Sequence, residues 1–182
     1  MGRGAGWHLR RARIDDAPAL ALIGAATFLE SYAGVIAGDA IIGHCARHHQ
    51  AEAYAALLEN GARAWLVESN EGGAPLGYAV TDRPDLAQAE AGDVELKRIY
   101  SLSRFHGLGM GAALMGAAVE ASAGHDRLLL GVYQGNERAL KFYKKQGFTE
   151  IGTRQFQVGP RLYDDYILAR PLAAGLDSGK TL

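Results

Sequence analysis

A single cysteine, Cys45, stands in the 182-residue chain, so no intrachain disulfide can form and a reducing compartment is expected. No stretch approaches the roughly 18 consecutive apolar residues of a membrane-spanning helix. Neither sign of charge dominates. Nineteen basic against twenty acidic residues leave a net charge of -1, which gives no electrostatic ground for binding nucleic acid or an anionic membrane surface. The opening "MGRGAGWHLRRAR" carries positive charge with no apolar run behind it, so no secretory leader is expected. Gly6 stands where a myristoylation signal needs Ser or Thr. Internal repeats and long linkers are also missing. These absences predict one cytoplasmic domain over residues 1–172 and a loose Gly-, Ser- and Ala-rich tail at 173–182.

What is present reads as alternating strands and helices. "WHLRRAR" is a strand, and the helix after it carries Pro18 in its first turn, with Asp15 or Asp16 as its cap. A second helical stretch runs from about Asp39 to Asn60 and ends at Gly61. "ARAWLVES" and "APLGYAVTD", separated by "NEGG", form a hairpin, and "VELKRIYSL" is the next strand. A helix over about Gly109–Ala123, the strand "RLLLGVY", the short helix "NERALKFYKKQ" closed by Gly147, and a final hairpin complete the chain. The order β-α-α-β-β-β-α-β-α-β-β predicts an α/β (α+β) fold. Its mixed, mostly antiparallel sheet of six or seven strands carries helices on both faces.

"HGLGMGAALM" places Gly107, Gly109 and Gly111 at alternate positions just before a helix. Glycine costs roughly 1 kcal/mol against alanine inside a helix, so three of them at its start ask for a reason. Strand, glycines, then helix is an anion site, because a helix start offers unpaired N–H groups and a partial positive end. A phosphate-binding P-loop needs Lys and Ser or Thr after the last glycine, where Ala112 and Ala113 stand. Gly107, Gly109 and Ala112 match a dinucleotide fingerprint, but the following strand, "RLLLGVYQ", lacks the acidic residue that would hold the ribose.

"VELKRIYSLSRFHGLGMGAALM" followed by "LLLGVYQGNERALKFYKKQGF" resembles the two central motifs of the GNAT N-acetyltransferases, over roughly Val94 to Phe148. The resemblance implies that fold, acetyl-CoA as cosubstrate, no metal, and transfer of an acetyl group to a primary amine by direct attack in a ternary complex. The family's Q/R-x-x-G-x-G/A motif matches literally from Arg104. Anchored on the helix, it begins at His106 and runs through Gly109 to Gly111, leaving Met110, Leu114, Ala117 and Ala121 on one helical face. On that register the segment His106, Gly107, Leu108, Gly109, Met110, Gly111 and Ala112 holds the pyrophosphate through its amides. The resemblance likewise implies that Ile99, Tyr100 and Ser101 line the pantetheine arm. It makes Asn136 a cofactor contact and Tyr143 the acid that protonates the departing sulfur.

Elementary chemistry asks for such groups. An amine of pKa near 10 must lose a proton before it attacks, and the thiolate must gain one. Asn136 and Tyr143 lie seven residues apart, close to two turns of about 3.6 residues, so their side chains share a face. A phenol of pKa about 10 suits proton transfer to a thiolate. Glu95, eleven residues before His106, matches the base glutamate of the histone-acetylating branch. Strand alternation puts Glu95, Lys97, Ile99 and Ser101 on one side, so a Glu95–Lys97 ion pair is the competing reading.

The acceptor is less legible. "AATFLESYAG" sets Phe28 and Tyr32 one turn apart with Glu30 between them. "GTRQFQVGPRLYDDYILARPL", "ELKRIY" and the "ATF…SY" helix resemble the bacterial spermidine/spermine N-acetyltransferases. A polyamine would draw on Glu30, Asp164, Asp165 and Glu95. The competing acceptor is a protein N-terminus or lysine, and the competing function class is a non-catalytic acyl-CoA sensor. A homodimer is expected on family habit. "HCARHH" sets His44 and His48 at i, i+4 without an acidic third ligand, which reads as a solvated helix face.

Overall fold

The computed structural model describes residues 6–172, so the tail expected at 173–182 lies outside the described residues. The strands are β1 (Trp7–Arg11), β2 (Arg63–Ser69), β3 (Pro75–Asp82), β4 (Val94–Ser101), β5 (Arg127–Tyr133), β6 (Thr149–Val158) and β7 (Arg161–Pro171). The helices are α1 (Ala17–Tyr32), α2 (Gly38–His48), α3 (Ala51–Glu59), α4 (Met110–Ala121) and α5 (Glu137–Lys145). The seven strands form one sheet in the order β1-β2-β3-β4-β5-β7-β6. Only β4 and β5 run parallel. No helix among the described residues is long and apolar enough to cross a membrane.

The helices divide between the two faces of the sheet. Met110, Leu114, Met115 and Ala118 of α4 pack with Val94, Leu96, Leu128, Leu130 and Tyr143 in one cluster. Leu20 and Ile23 of α1 and Tyr54 of α3 pack against Leu66, Tyr78 and Val80 on the opposite face. The end of α1 and the start of α2 lean on the β6–β7 hairpin through Phe28, Ile36, Ala40, Ile41 and Val158.

Two local expectations change. The stretch from Asp39 to Asn60 is two helices, broken where His49 (φ -123°, ψ 37°) leaves the helical region. No Gly or Pro causes the break. The His49 ring turns inward, and its Nδ1 lies 2.9 Å from the Tyr54 hydroxyl. Asp16 does not cap α1 with its side chain. It is taken by Arg10, at 2.7 Å to each carboxylate oxygen, and by the Arg13 amide.

Candidate active site

The site begins with a split in the sheet. β4 pairs with β5 only at Val94↔Leu128 and Glu95↔Leu129. Beyond that point β4 stays with β3 and β5 stays with β7, so β4 backbone groups from Leu96 onward face a gap. A bulge widens the divergence. Val80 pairs with Arg98 and Thr81 with Leu96, leaving Lys97 as the extra residue. Strict alternation therefore fails. Glu95 and Lys97 remain together, but Ile99 joins the α4 side of the sheet and Tyr100 the α1 and α3 side.

At the end of β4 the glycine segment turns into α4. Gly107 (φ +86°) and Gly109 (φ +85°) both occupy the left-handed region, which a Cβ makes costly. The first intrahelical bond runs from the Ala113 amide to the Gly109 carbonyl, at 3.0 Å. The amides of Met110, Gly111 and Ala112 thus have no carbonyl four residues back inside the helix. The His106 imidazole is braced from both sides, with Nε2 3.0 Å from the Ser101 carbonyl and Nδ1 on Arg138. Leu108 is exposed at the tip. Beside the loop lies an open groove of about 610 Å³, lined by Gly107, Glu137, Arg138, Lys141, Phe142 and Lys145. The free amides and the surrounding cations suit a phosphorylated ligand.

Asn136 caps α5, its Oδ1 accepting from the Ala139 amide at 3.1 Å. Tyr143, further along α5, is 8% exposed and packs edge-on against Phe142 and Phe148. Burial raises its phenol above the ordinary range, and the neighbouring Tyr100 adds to the shift. Burial also raises Tyr32, followed by the effects of Tyr100, Asp165 and Tyr143. Three tyrosines, from α1, β4 and α5, therefore bring their hydroxyls into one another's fields. The side-chain contribution of Tyr100 has no local sequence signal.

Glu95 is 3% exposed. Its Oε2 accepts from Lys97 Nζ at 2.7 Å and from the Asp85 amide at 3.0 Å. Burial raises its pKa against the opposing pull of Lys97. The charges continue outward. Lys97 Nζ lies 3.1 Å from Asp85, and Arg154 joins Asp85 at 3.9 Å to Asp165 at 3.2 Å. Arg154 lies over Gly131 of β5, where any Cβ would come within 2.7 Å of the guanidinium. The Glu95–Lys97 ion pair read as the competing possibility is present, whereas Asp85 and Arg154 were not foreseen as members of this network.

Of the residues read as acceptor-binding, three converge and two do not. Phe28 and Tyr32, with ring centroids 4.6 Å apart, meet Asp165 around a small aromatic cavity closed by Ile36, Tyr133, Phe156, Val158 and Tyr163. Glu30 is elsewhere, its two oxygens accepting from the Ser103 amide (2.8 Å) and hydroxyl (2.6 Å). Asp164 is exposed, accepting from Gln155 at 3.3 Å. β7 is an interior strand, so Asp165 is 7% exposed and paired with Arg154.

His44 departs from the expected solvated face of α2, whereas His48 is exposed as expected. His44 stacks on Phe28 at 4.1 Å, and burial with the nearby cations takes its pKa down to about 4. Among the described residues no group of three or more His, Cys, Asp or Glu is placed to hold a metal ion.

The model of the acetyltransferase (GNAT) family matches residues 22–148. An uncharacterized N-acetyltransferase of Mycobacterium bovis is 35% identical over 161 residues, covering 87% of this chain and 99% of the relative. The fold matches the PaiA N-acetyltransferase of Thermoplasma acidophilum, solved in complex with coenzyme A (TM-score 0.73, 17% identity, 91% of this chain and 98% of that one). It also matches a ribosomal-protein-alanine N-acetyltransferase of Brucella melitensis (TM-score 0.68, 22% identity, 91% and 99%). A family match across most of the chain and a relative aligned nearly end to end place this protein in the GNAT family, as an acetyl-CoA-dependent N-acetyltransferase.

Proposed function

We propose that this enzyme transfers the acetyl group to the primary amine of a small molecule, by direct attack while both substrates are bound. The observation that carries the reading is the open gap between β4 and β5. A cationic groove and free helix-start amides lie at its α4–α5 side, and a small, partly open aromatic cavity is framed by Phe28 and Tyr32 of α1 and by β5, β6 and β7. Two substrates approaching from opposite faces would meet there, with most water excluded.

Each residue then has a task. Amides around Gly109, Met110, Gly111 and Ala112 hold the pyrophosphate, with Arg138, Lys141 and Lys145 alongside. The unpaired edge of β4 at Ile99, Tyr100 and Ser101 holds the pantetheine arm, and an amide of that edge stabilises the developing oxyanion. Glu95 takes a proton from the amine, directly or through water. Its raised pKa makes it a stronger base than an exposed carboxylate. Tyr143, kept protonated by burial, gives its proton to the departing thiolate. The bond broken is carbonyl carbon to sulfur, and the bond formed is nitrogen to that carbon.

The space framed by Phe28, Tyr32 and the β6–β7 hairpin is small, about 20 Å³, so a protein N-terminus or lysine, which calls for an open groove, finds less support there than a small amine. A polyamine finds less support. Glu30 is held by Ser103, Asp165 by Arg154 and Glu95 by Lys97. The half-buried thiol Cys45 suits a reducing compartment and supports a cytoplasmic placement.

The test is thiol release from acetyl-CoA against spermidine, spermine, amino acids, aminoglycosides and short peptides, with calorimetric titration of CoA beside it. Turnover on small amines upholds the reading. Turnover confined to peptides would transfer it to protein acetylation.

A further inference from the structure

Arg98 follows the bulge at Lys97, on the stretch of β4 that has left β5. Its guanidinium sits 5.1 Å over the Tyr54 ring, on the same side of the sheet as Tyr100. Its Nη1 is fully buried and has no hydrogen-bond partner. A buried guanidinium nitrogen left without an acceptor is costly, and proteins normally pair such a group.

Elsewhere the chain follows that rule. Arg10, Arg127 and Arg154, half-buried like Arg98, each meet a carboxylate at 3.2 Å or less. Lys97, the neighbour of Arg98, is shared by Glu95 and Asp85. Arg98 forms no ion pair with any described carboxylate. The groups within its field are His44, His48 and His49 and the Tyr54, Tyr78 and Tyr100 phenols, and the Tyr54 hydroxyl, which is neutral, also accepts from its side chain. Burial disfavours the charged form of all three histidines, and Arg98 adds to that effect. Neutral imidazoles and phenols can donate hydrogen bonds without repelling Arg98, so its surroundings suit an incoming anion.

We propose that the acceptor carries a carboxylate as well as its amine, and that Arg98 binds that carboxylate. This rests on the acetyl-transfer reading above and narrows its substrate class to small amino-carboxylates. The planar guanidinium fork matches a carboxylate in two parallel hydrogen bonds. Arg98 acts on Tyr100, which is hydrogen-bonded to Tyr32 of the aromatic cavity, so its unpaired positive charge lies beside the acceptor side of the site. A polycation would meet that charge; an amino-carboxylate would neutralise it.

The experiment compares acceptors that differ only in the carboxylate: tyrosine against tyramine, methionine against 3-(methylthio)propylamine, and lysine against cadaverine. Spermidine serves as the polycation. The full-length protein is assayed by thiol release from acetyl-CoA. The carboxylate-bearing member of at least one pair is expected to have the higher kcat/KM by about 10- to 100-fold, mainly through KM, as for hydrogen bonds to a charged group. Arg98→Gln should collapse that ratio toward one, and Arg98→Lys should restore part of it. CoA titration of each variant reports whether it has folded, and the native comparison needs no variant.

Preference for the decarboxylated members or for spermidine in the native enzyme would overturn the carboxylate site and leave small-amine acetylation standing. If no amine in the panel is acetylated although CoA binds, calorimetry of tyrosine and methionine on the CoA-loaded protein decides. Heat that disappears in Arg98→Gln keeps the site and removes the acetyl-transfer assignment for these amines. No heat in the native protein overturns the site.

Discussion

Glu95 and Lys97, two residues apart on one strand, hold each other at 2.7 Å, at the point where β4 bulges and leaves β5. An ion pair and a general base are often treated as rival readings of such a glutamate. Here burial raises the Glu95 pKa while Lys97 pulls it back, so the pair tempers the cost of a buried carboxylate that remains able to accept a proton.

The pH dependence follows from that balance. With the Glu95 pKa raised, the basic form is lost at a higher pH than for an exposed glutamate. The rate should therefore fall as pH drops through the raised value, and an acid limb should appear in kcat/KM above the ordinary carboxylate range of about 4.3. Glu95→Gln should lower kcat by about 10²-fold and remove that limb, as expected for a lost general base. An unchanged profile in the variant would assign the base to another group.

Tyr143→Phe keeps the edge-on packing with Phe142 and Phe148 and removes only the hydroxyl. Turnover should fall by about 10²-fold or more for a lost general acid, with CoA affinity within a few-fold of the native value. Because burial raises the phenol, Tyr143 should contribute no alkaline limb below about pH 10. Rate–pH profiles from pH 6 to 10 and CoA calorimetry check both statements.

Gly109→Ala tests the start of α4. The added Cβ would meet only Trp7, at 3.9 Å, so its effect is conformational. Holding alanine at φ near +85° should cost roughly 1–2 kcal/mol. The chain can meet that cost by losing stability or by turning the Met110 and Gly111 amides out of line. A lower Tm together with a raised KM for acetyl-CoA is expected. A lower Tm with unchanged KM would separate the glycine from the cofactor.

Much of this site was legible because its signals are local. Helix periodicity selected the His106 register and the buried face beginning with Met110 and Leu114. What escaped depends on contacts distant in sequence. Glu30 meets Ser103 across 73 positions, a pairing that neither helix nor strand periodicity encodes. The bulge at Lys97 moved Ile99 to the opposite face because alternation presumes an unbroken ladder. The break at His49 comes from Tyr54 and the α1 helix beneath it. A Cβ on Gly24 would lie within 2.4 Å of both the Tyr54 hydroxyl and His49 Nδ1. Arg98 is ordinary in sequence and becomes informative only once its surroundings are known.

His44 of α2 and His49, which ends it, make the last prediction, one of stability. His44 and His49 have pKa values pushed down to about 4 and about 3, chiefly by burial. In the unfolded chain both should titrate near 6.5. Between these limits the unfolded state binds protons that the folded state does not, so stability must fall as pH drops below about 6.5. Thermal unfolding from pH 7 to pH 4 should show that decline. His44→Phe keeps a ring against Phe28 and removes one of the titrating groups. Its Tm should therefore lose less than the native protein over the same range. An equal loss in both would mean that the acid sensitivity arises outside His44, with His49 as the next substitution to make.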